Sequence, residues 1–302
     1  MGIYVETFIR QPLDTVWAHT QEPALHERWD LRFSEIRYLP RADDTEPQRF
    51  LYATRIGFGL AIRGEGESMG ARHTENGHAT SALRFFSEHP LSLIREGSGY
   101  WKYIPEREGV RFLTWYDYRT RFGLLGTIAD RVAFRPLMGW ATAWSFDRLR
   151  LWLEEGTHPT VALRLALTHA IARFGLVFTF AYHGLVPKLL GRHADELAML
   201  HDAGVPVAQQ STALIAAGVA ELVFAAVLLI AWRARWPAVL SIALMLAATI
   251  GVAVASPRFL GAAFNPVSLN AIVIALAVID LLTHAYAPSA RRCARAPRAE
   301  RR

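Results

Sequence analysis

Val110–Phe122, VRFLTWYDYRTRF, decides the reading of the first half of the chain. Every second residue (Val110, Phe112, Thr114, Tyr116, Tyr118, Thr120, Phe122) is uncharged, while the alternate set holds Arg111, Asp117, Arg119 and Arg121. A period of two with one charged face is the pattern of a strand buried on one side and wet on the other. Working outward, Tyr52, Thr54, Ile56, Phe58, Leu60 and Ile62 form another uncharged face, and glycines at 57, 59, 64, 66 and 70 predict bends that curl the sheet. Ile3–Arg10, IYVETFIR, is a short alternating strand closed by Pro12. Pro12–Asp30 offers one or two short helices with Val16 and Trp17 turned inward. After the opening strand, Leu125, Ile128, Val132, Leu137, Trp140, Trp144 and Leu149 recur at helical spacing across 124–155. Pro136 must break or kink that segment.

The order strand, helices, curved antiparallel sheet, long terminal helix describes an α+β helix-grip domain. PLDTVWAHTQEPALHERWD (12–30) and GLLGTIADRVAFRPLMGWATAWSFDRLRLWLEE (123–155) resemble the START-like SRPBCC superfamily over about residues 1–156. That superfamily includes lipid carriers, aromatic cyclases and hormone receptors. The resemblance implies a deep apolar cavity between sheet and last helix.

Beyond a linker at 157–164 the composition changes. Residues 1–160 hold 20 Lys/Arg against 21 Asp/Glu, and residues 161–302 hold 13 against 6. Four apolar windows, Leu165–Leu185, Thr212–Trp232, Trp236–Ala255 and Pro266–Tyr286, each reach the roughly 20 residues that cross a bilayer. They predict an all-α bundle of four transmembrane helices. Arg233 and Arg235 in the second turn, and six arginines in a tail at 287–302, fall on one side of it. The positive-inside rule makes that side the cytoplasm. The N-terminus carries no basic segment followed by an apolar run, as a secretory signal would, so the first domain is expected in the cytoplasm too. The protein is thus expected in the inner membrane.

RFGLVFTFAYHGLVPKLL (173–190), DELAMLHDAGVP (195–206) and AGVAELVFAAVLL (217–229) resemble the DoxX-like group of four-helix bacterial membrane proteins. The resemblance spans about Leu165–Tyr286 and rests on Arg173 with Gly175, the Gly184–Lys188 turn, Gly204 with Pro206, and Glu221 with Leu222. It implies no agreed chemistry, although some relatives are linked to quinone or redox systems.

Candidate ligand contacts in the first domain are Trp29, Trp101, Tyr103, Trp115, Tyr116, Tyr118 and Trp140. The tyrosines on the uncharged face rank first, because a buried phenol needs a hydrogen-bond partner. Within the spans, Arg173, His183, Glu221, Asn270 and Asp280 stand out, since charge in hydrocarbon is costly. Equal depth pairs Arg173 with Asp280, while Glu221 is expected to look to His183 or Asn270. Lys188 is read as an anchor that snorkels to the headgroups after Pro187 stops the first helix.

The single cysteine, Cys293, excludes an internal disulfide and any cysteine-based metal cluster. No paired-histidine metal spacing, nucleophile elbow, phosphate loop or dinucleotide fingerprint occurs, so neither metal nor cofactor is expected. The Gly-rich GEGESMG (64–70) has no helix after it. No basic stripe interleaved with aromatics marks a nucleic-acid partner. The leading expectation is a membrane-anchored protein that binds a lipid or other hydrophobic small molecule at the cytoplasmic face, with a membrane-protein partner or a second copy conceivable. The alternatives are a quinone-linked redox or ion-handling assembly regulated by the first domain, and a cyclase or hydrolase working in the apolar cavity without a recognisable catalytic motif.

Overall fold

A computed structural model describes residues 2–43, 46–263 and 265–297. The chain divides into two compact units: one takes in the chain up to Leu163 and again from Pro288, the other is Arg164–Ala287.

In the first unit, β1 (Ile3–Ile9) leads into α1 (Leu13–Gln21) and α2 (Pro23–Trp29), then β2 (Glu35–Tyr38), β3 (Arg49–Gly57), β4 (Leu60–His73), β5 (Ala79–Phe86), β6 (Ile94–Glu106) and β7 (Gly109–Thr120). The strands form one antiparallel sheet in the order β1-β7-β6-β5-β4-β3-β2. Register shifts at Arg55/Gly57, Ser68/Gly70 and Ile94/Glu96 bend it. Gly64 and Gly66 lie under the rings of Tyr52 and Phe50, where an added Cβ would come within 2.4 and 2.2 Å of ring carbons. The uncharged run 52–62 is therefore two strands rather than one. A two-residue turn at Phe58 and Gly59, both at positive φ, reverses the chain.

After β7 come α3 (Gly123–Ala129), a π-helical turn over Asp130–Phe134, and α4 (Arg135–Glu155), with Pro136 in the first turn of α4. Trp144, Phe146, Leu149 and Leu151 are buried against the sheet, and Phe146 stacks on Phe112 at 4.5 Å. The expected continuous stripe fails before this point: Leu125, Ile128, Val132, Leu137 and Trp140 are exposed. The π turn adds residues to one turn and so puts Leu125 and Ile128, which precede it, out of phase with Trp144 and Leu149. Leu137 follows it and lines a cavity rather than packed core.

The tail is also not wholly separate. Glu6 and Ala294 exchange backbone hydrogen bonds of 2.9 Å, which extends the sheet at β1. The amide of Ser289 donates to Asp147 Oδ2 at 2.7 Å, and Cys293 Sγ donates to the Ala143 carbonyl at 3.2 Å. Burial pushes the Cys293 thiol up to about 12. Arg298, Arg301 and Arg302 of the tail lie outside the described residues.

Among the described residues, four helical stretches are long and apolar enough to cross a membrane: Pro159–Leu190, whose first turn still belongs to the first unit, and Val207–Ile230, Trp236–Ala255 and Pro266–His284 of the second. The first comprises α5 (Pro159–His183) and a π-helical continuation through Gly184–Leu190. Helix thus begins inside the expected linker and runs past Pro187. Then come α6 (Ala194–Asp202), α7 (Val207–Ile230), α8 (Trp236–Ala255) and α9 (Pro266–His284). Leu176, Phe180, Ala225, Leu228, Ala238, Val273 and Ala277 form the core. Gly184 and Gly218 let α7 cross the first span closely, since a Cβ on Gly184 would meet the Gly218 carbonyl oxygen at 2.6 Å.

Candidate functional site

The concave face of the sheet, the segment after α2 and the first turns of α4 enclose a cavity of about 390 Å³. Aliphatic and aromatic side chains make most of its wall, among them Phe50, Ile62, Leu83, Phe85, Trp101, Phe134 and Met138. Arg32 is the one formally charged side chain among the described lining residues.

Arg32 is held from behind. Its Nε and Nη2 donate to Asp30 Oδ1 and Oδ2 at 2.9 and 2.6 Å, a bidentate pair around a carboxylate with no exposed side-chain surface. The Arg32 amide also donates to Asp30 Oδ1 at 3.0 Å. His26 Nε2 sits 3.1 Å from Asp30 Oδ2. Burial works to raise Asp30, but Arg32 and His26 overcome it and hold the carboxyl far below its ordinary range. Burial alone works to lower Arg32, and the Asp30 charge keeps it fully cationic. Burial lowers His26 despite Asp30, so the imidazole is neutral at pH 7. α2 places His26 and ends at Trp29, which leaves Asp30 and Arg32 in the turn that leads to β2. The guanidinium lies over the rings of Tyr116 at 5.4 Å and Phe33 at 5.7 Å.

Of the expected ligand contacts, Trp101 and Tyr116 line the cavity. Tyr116 shares a hydrogen bond of 2.9 Å with Thr142 Oγ1. The other five are not part of its lining. Trp29 is wholly buried, packed on His26, Trp101 and Phe146. Tyr103 is core as well, its hydroxyl bonded to Thr20 Oγ1 and Gln21 Nε2 at 2.7 and 2.8 Å. Tyr118 donates to Asp130 Oδ1 at 2.7 Å. Trp115 has the opposite parity on β7 and stacks on Tyr100, and Trp140 is exposed beside Trp144. Sequence reading missed His26, Asp30 and Arg32. The available signal was an acid and a base two residues apart, just after a helix ending in an apolar Trp.

In the membrane-spanning unit two charged clusters are separate. Asp280 Oδ1 lies 3.0 Å from Arg173 Nε and 3.1 Å from His169 Nδ1, with all three side chains buried. Arg173 Nη2 also donates to the carbonyls of Trp232 and Ala234 at 3.3 and 3.0 Å. In the second cluster Lys188 Nζ bridges Glu196 at 3.2 Å and Glu221 at 3.1 Å. Lys188 is therefore a buried ion-pair partner rather than a headgroup anchor, because the helix continues past Pro187 and carries it inside. It also takes the place expected for His183 or Asn270 beside Glu221. Asn270 instead donates to Thr249 Oγ1 at 3.0 Å, and His183 stacks edge-on to Tyr182. Arg173 and Lys188 are fifteen positions apart on one helical stretch, about 22 Å at 1.5 Å per residue. Leu176, Phe180, Ala225 and Leu228 belong to the apolar core of the same unit.

Comparison with known proteins follows this division. The DoxX-like family model matches residues 177–278. The uncharacterized membrane protein YndG of Bacillus subtilis (strain 168) is 51% identical over 183 residues, which cover 60% of this chain and 68% of that protein. Among solved structures, the di-domain aromatase/cyclase StfQ from the steffimycin biosynthetic pathway aligns at 16% identity and TM-score 0.40, over 51% of this chain and 50% of its own. A STAR-related lipid transfer protein fragment from Xanthomonas axonopodis aligns at 14% identity and TM-score 0.37, over 47% and 80%. By its identity to the Bacillus protein and the family match across its apolar helices, the chain belongs to the DoxX-like family of multi-pass membrane proteins, here with a helix-grip domain before the spans.

Proposed function

We propose that the helix-grip unit binds a hydrophobic small molecule or lipid that carries one anionic or hydrogen-bond-accepting oxygen, and that the four spans hold this unit at the cytoplasmic face of the inner membrane. The carrying observation is an apolar cavity of about 390 Å³ with the Asp30-braced Arg32 as the one formal charge among its described lining residues. A guanidinium fixed by a buried carboxylate is prepositioned for a ligand oxygen and needs little reordering on binding. The cytoplasmic side is supported by Arg233, Arg235 and the arginine-rich tail. It also fits a chain that leaves the first unit at Leu163 and rejoins it at Pro288, after an even number of spans.

The test is mass spectrometry of compounds that co-purify with the intact detergent-solubilised protein, compared with Ala141→Trp. Ala141 lines the cavity, so the indole fills space while the Asp30–Arg32 pair stays intact. Compounds with an apolar body and a carboxylate, phosphate or carbonyl should be enriched in the wild type and depleted in the variant. Equal recovery from both would sink the reading.

A second reading is favoured by one contact. His26 lines the cavity and is oriented by Asp30 at 3.1 Å, which sets a neutral base beside the Arg32 cation. That pairing suits proton abstraction next to a carbonyl held by Arg32, as in a cyclase-type reaction. Under it, His26→Gln would retain the bound compound but stop its conversion. The quinone-linked or ion-handling reading draws less support, because the two charged clusters of the spanning unit are far apart along their shared helix.

A further inference from the structure

We infer that the mouth of the cavity is a bilayer-docking surface that inserts apolar side chains among anionic lipid headgroups. Sheet topology gathers three chain segments at one edge of the cavity. In an antiparallel order, the β3–β4 turn, the β5–β6 loop and the end of β7 all fall at one end of the sheet. Hydrogen bonds tie them together there. Ser87 Oγ donates to the Arg63 carbonyl at 2.5 Å, the Arg121 amide donates to the Leu93 carbonyl at 2.8 Å, and the Arg121 guanidinium donates to the carbonyls of Glu88 and His89 at 3.3 and 3.2 Å. Ile56 and Leu137 both line the cavity and are 53% and 58% exposed, which places its mouth at this same end.

The turns that ring the mouth carry apolar tips. Phe58 is fully exposed, and Leu91, Phe122, Leu124, Leu125 and Val132 are each more than half exposed. Phe58 and Phe122 hold φ of 50° and 65°, where a non-glycine side chain is disfavoured. The opposite end of the sheet shows the contrast, since its turns present Glu75, Asn76, Arg107 and Glu108. One end is therefore apolar and the other polar, in a chain that also carries membrane-spanning helices.

Charge selects the occupant. Arg55, Arg63, Arg95, Arg119 and Arg131 are exposed on the strands and turns of the mouth, against Glu35, Glu88 and Glu96, and Glu96 pairs with Arg119 at 3.1 Å. Apolar tips with a cationic collar match an anionic interface, where insertion and electrostatic attraction add. A second copy of the chain would bring its own arginines to the same place and repel. Docking would let a hydrophobic ligand pass between bilayer and cavity without crossing water. This purpose rests on the ligand reading of the cavity, whereas the docking itself does not.

The test uses the full chain in proteoliposomes containing phosphatidylglycerol. Phe58→Cys and Leu125→Cys are each labelled with an environment-sensitive fluorophore, with Glu75→Cys as the control at the opposite end. The native Cys293 is buried, so labelled wild type gives the background. Lipid with a nitroxide high on its acyl chain should remove most of the emission at 58 and 125 and leave 75 bright. It should quench less when phosphatidylglycerol is replaced by zwitterionic lipid. Labels at 58 and 125 as bright as that at 75 would overturn the inference. So would emission that is blue-shifted but unquenched, which means cover by protein, or quenching indifferent to anionic lipid. Insertion seen in a protein that co-purifies with no ligand would leave docking standing and end the ligand reading.

Discussion

Lys188 Nζ lies 3.1 Å from Glu221 Oε1, so the cation near the end of the first span and the carboxylate of the second are partners. Glu196 completes the bridge at 3.2 Å, and Glu221 Oε2 has no hydrogen-bond partner among the described residues. A carboxylate that already lacks one partner depends heavily on the other. Lys188→Met should destabilise by about 1–3 kcal/mol. Adding Glu221→Gln should restore much of that loss. Thermal unfolding in detergent of both single variants and the double variant measures the coupling, and additive losses would refute it.

Arg173 and Asp280 form the more deeply buried pair, 3.0 Å apart with neither side chain exposed. Asp280→Asn strands a buried guanidinium and should cost about 3–5 kcal/mol. Exchanging the two charges should rescue only in part. Arg173 also binds the carbonyls of Trp232 and Ala234, and an aspartate at 173 cannot donate to them. The folded fraction recovered from membranes, read by size-exclusion chromatography, distinguishes partial from full rescue.

Gly218 faces Gly184 across the helix crossing, where an added Cβ would come 2.8 Å from the Gly184 carbonyl oxygen and 2.9 Å from Leu189 Cγ. Gly218→Val should force these helices apart and cost about 1–3 kcal/mol. Gly251, whose Cβ would meet nothing within 4 Å, should accept alanine without loss. Parallel melting curves of the two variants check the contrast.

His26 makes the helix-grip unit acid-sensitive. Burial holds its imidazole below the ordinary 6.5, so the unfolded chain takes up a proton near that pH while the folded protein does not. Stability is therefore present above pH 6.5 and falls as pH drops below it, at up to about 1.4 kcal/mol per pH unit. Asp30 is also depressed, but its stabilisation is lost only below its ordinary 3.8. His26→Gln keeps a donor for Asp30 and should flatten the melting temperature between these two values. An unchanged pH profile would count against the buried neutral histidine.

Much of the architecture was legible because it is written in periodicity. Alternation in Val110–Phe122 marked a half-buried strand, and the windows from Leu165 to Tyr286 marked the spans. Both patterns follow from what a side chain must avoid facing. The cavity wall was only partly legible. Trp101 and Tyr116 line it, but Trp29 and Tyr103 look the same in sequence and fill core. The difference lies in position along the sheet, which periodicity does not encode. The stripe failed at Leu125 and Ile128 for a related reason, since the π turn at Asp130–Phe134 shifts helical phase between them and Trp144 without any residue that announces it.

By itself, then, the sequence determined the two-part plan, the helix-grip and spanning elements, and the presence of costly charges within the spans. Burial and backbone geometry act locally along the chain, and composition reports them. Only the tertiary structure decided which charges meet: Lys188 with Glu221, Asp280 with both Arg173 and His169, Arg32 with Asp30 at the cavity wall. It also gathered Phe58, Leu91 and Leu125 at one end of the sheet. Coulomb attraction and shared exposure depend on distance in space, and residues far apart in sequence acquire that distance only when the chain folds.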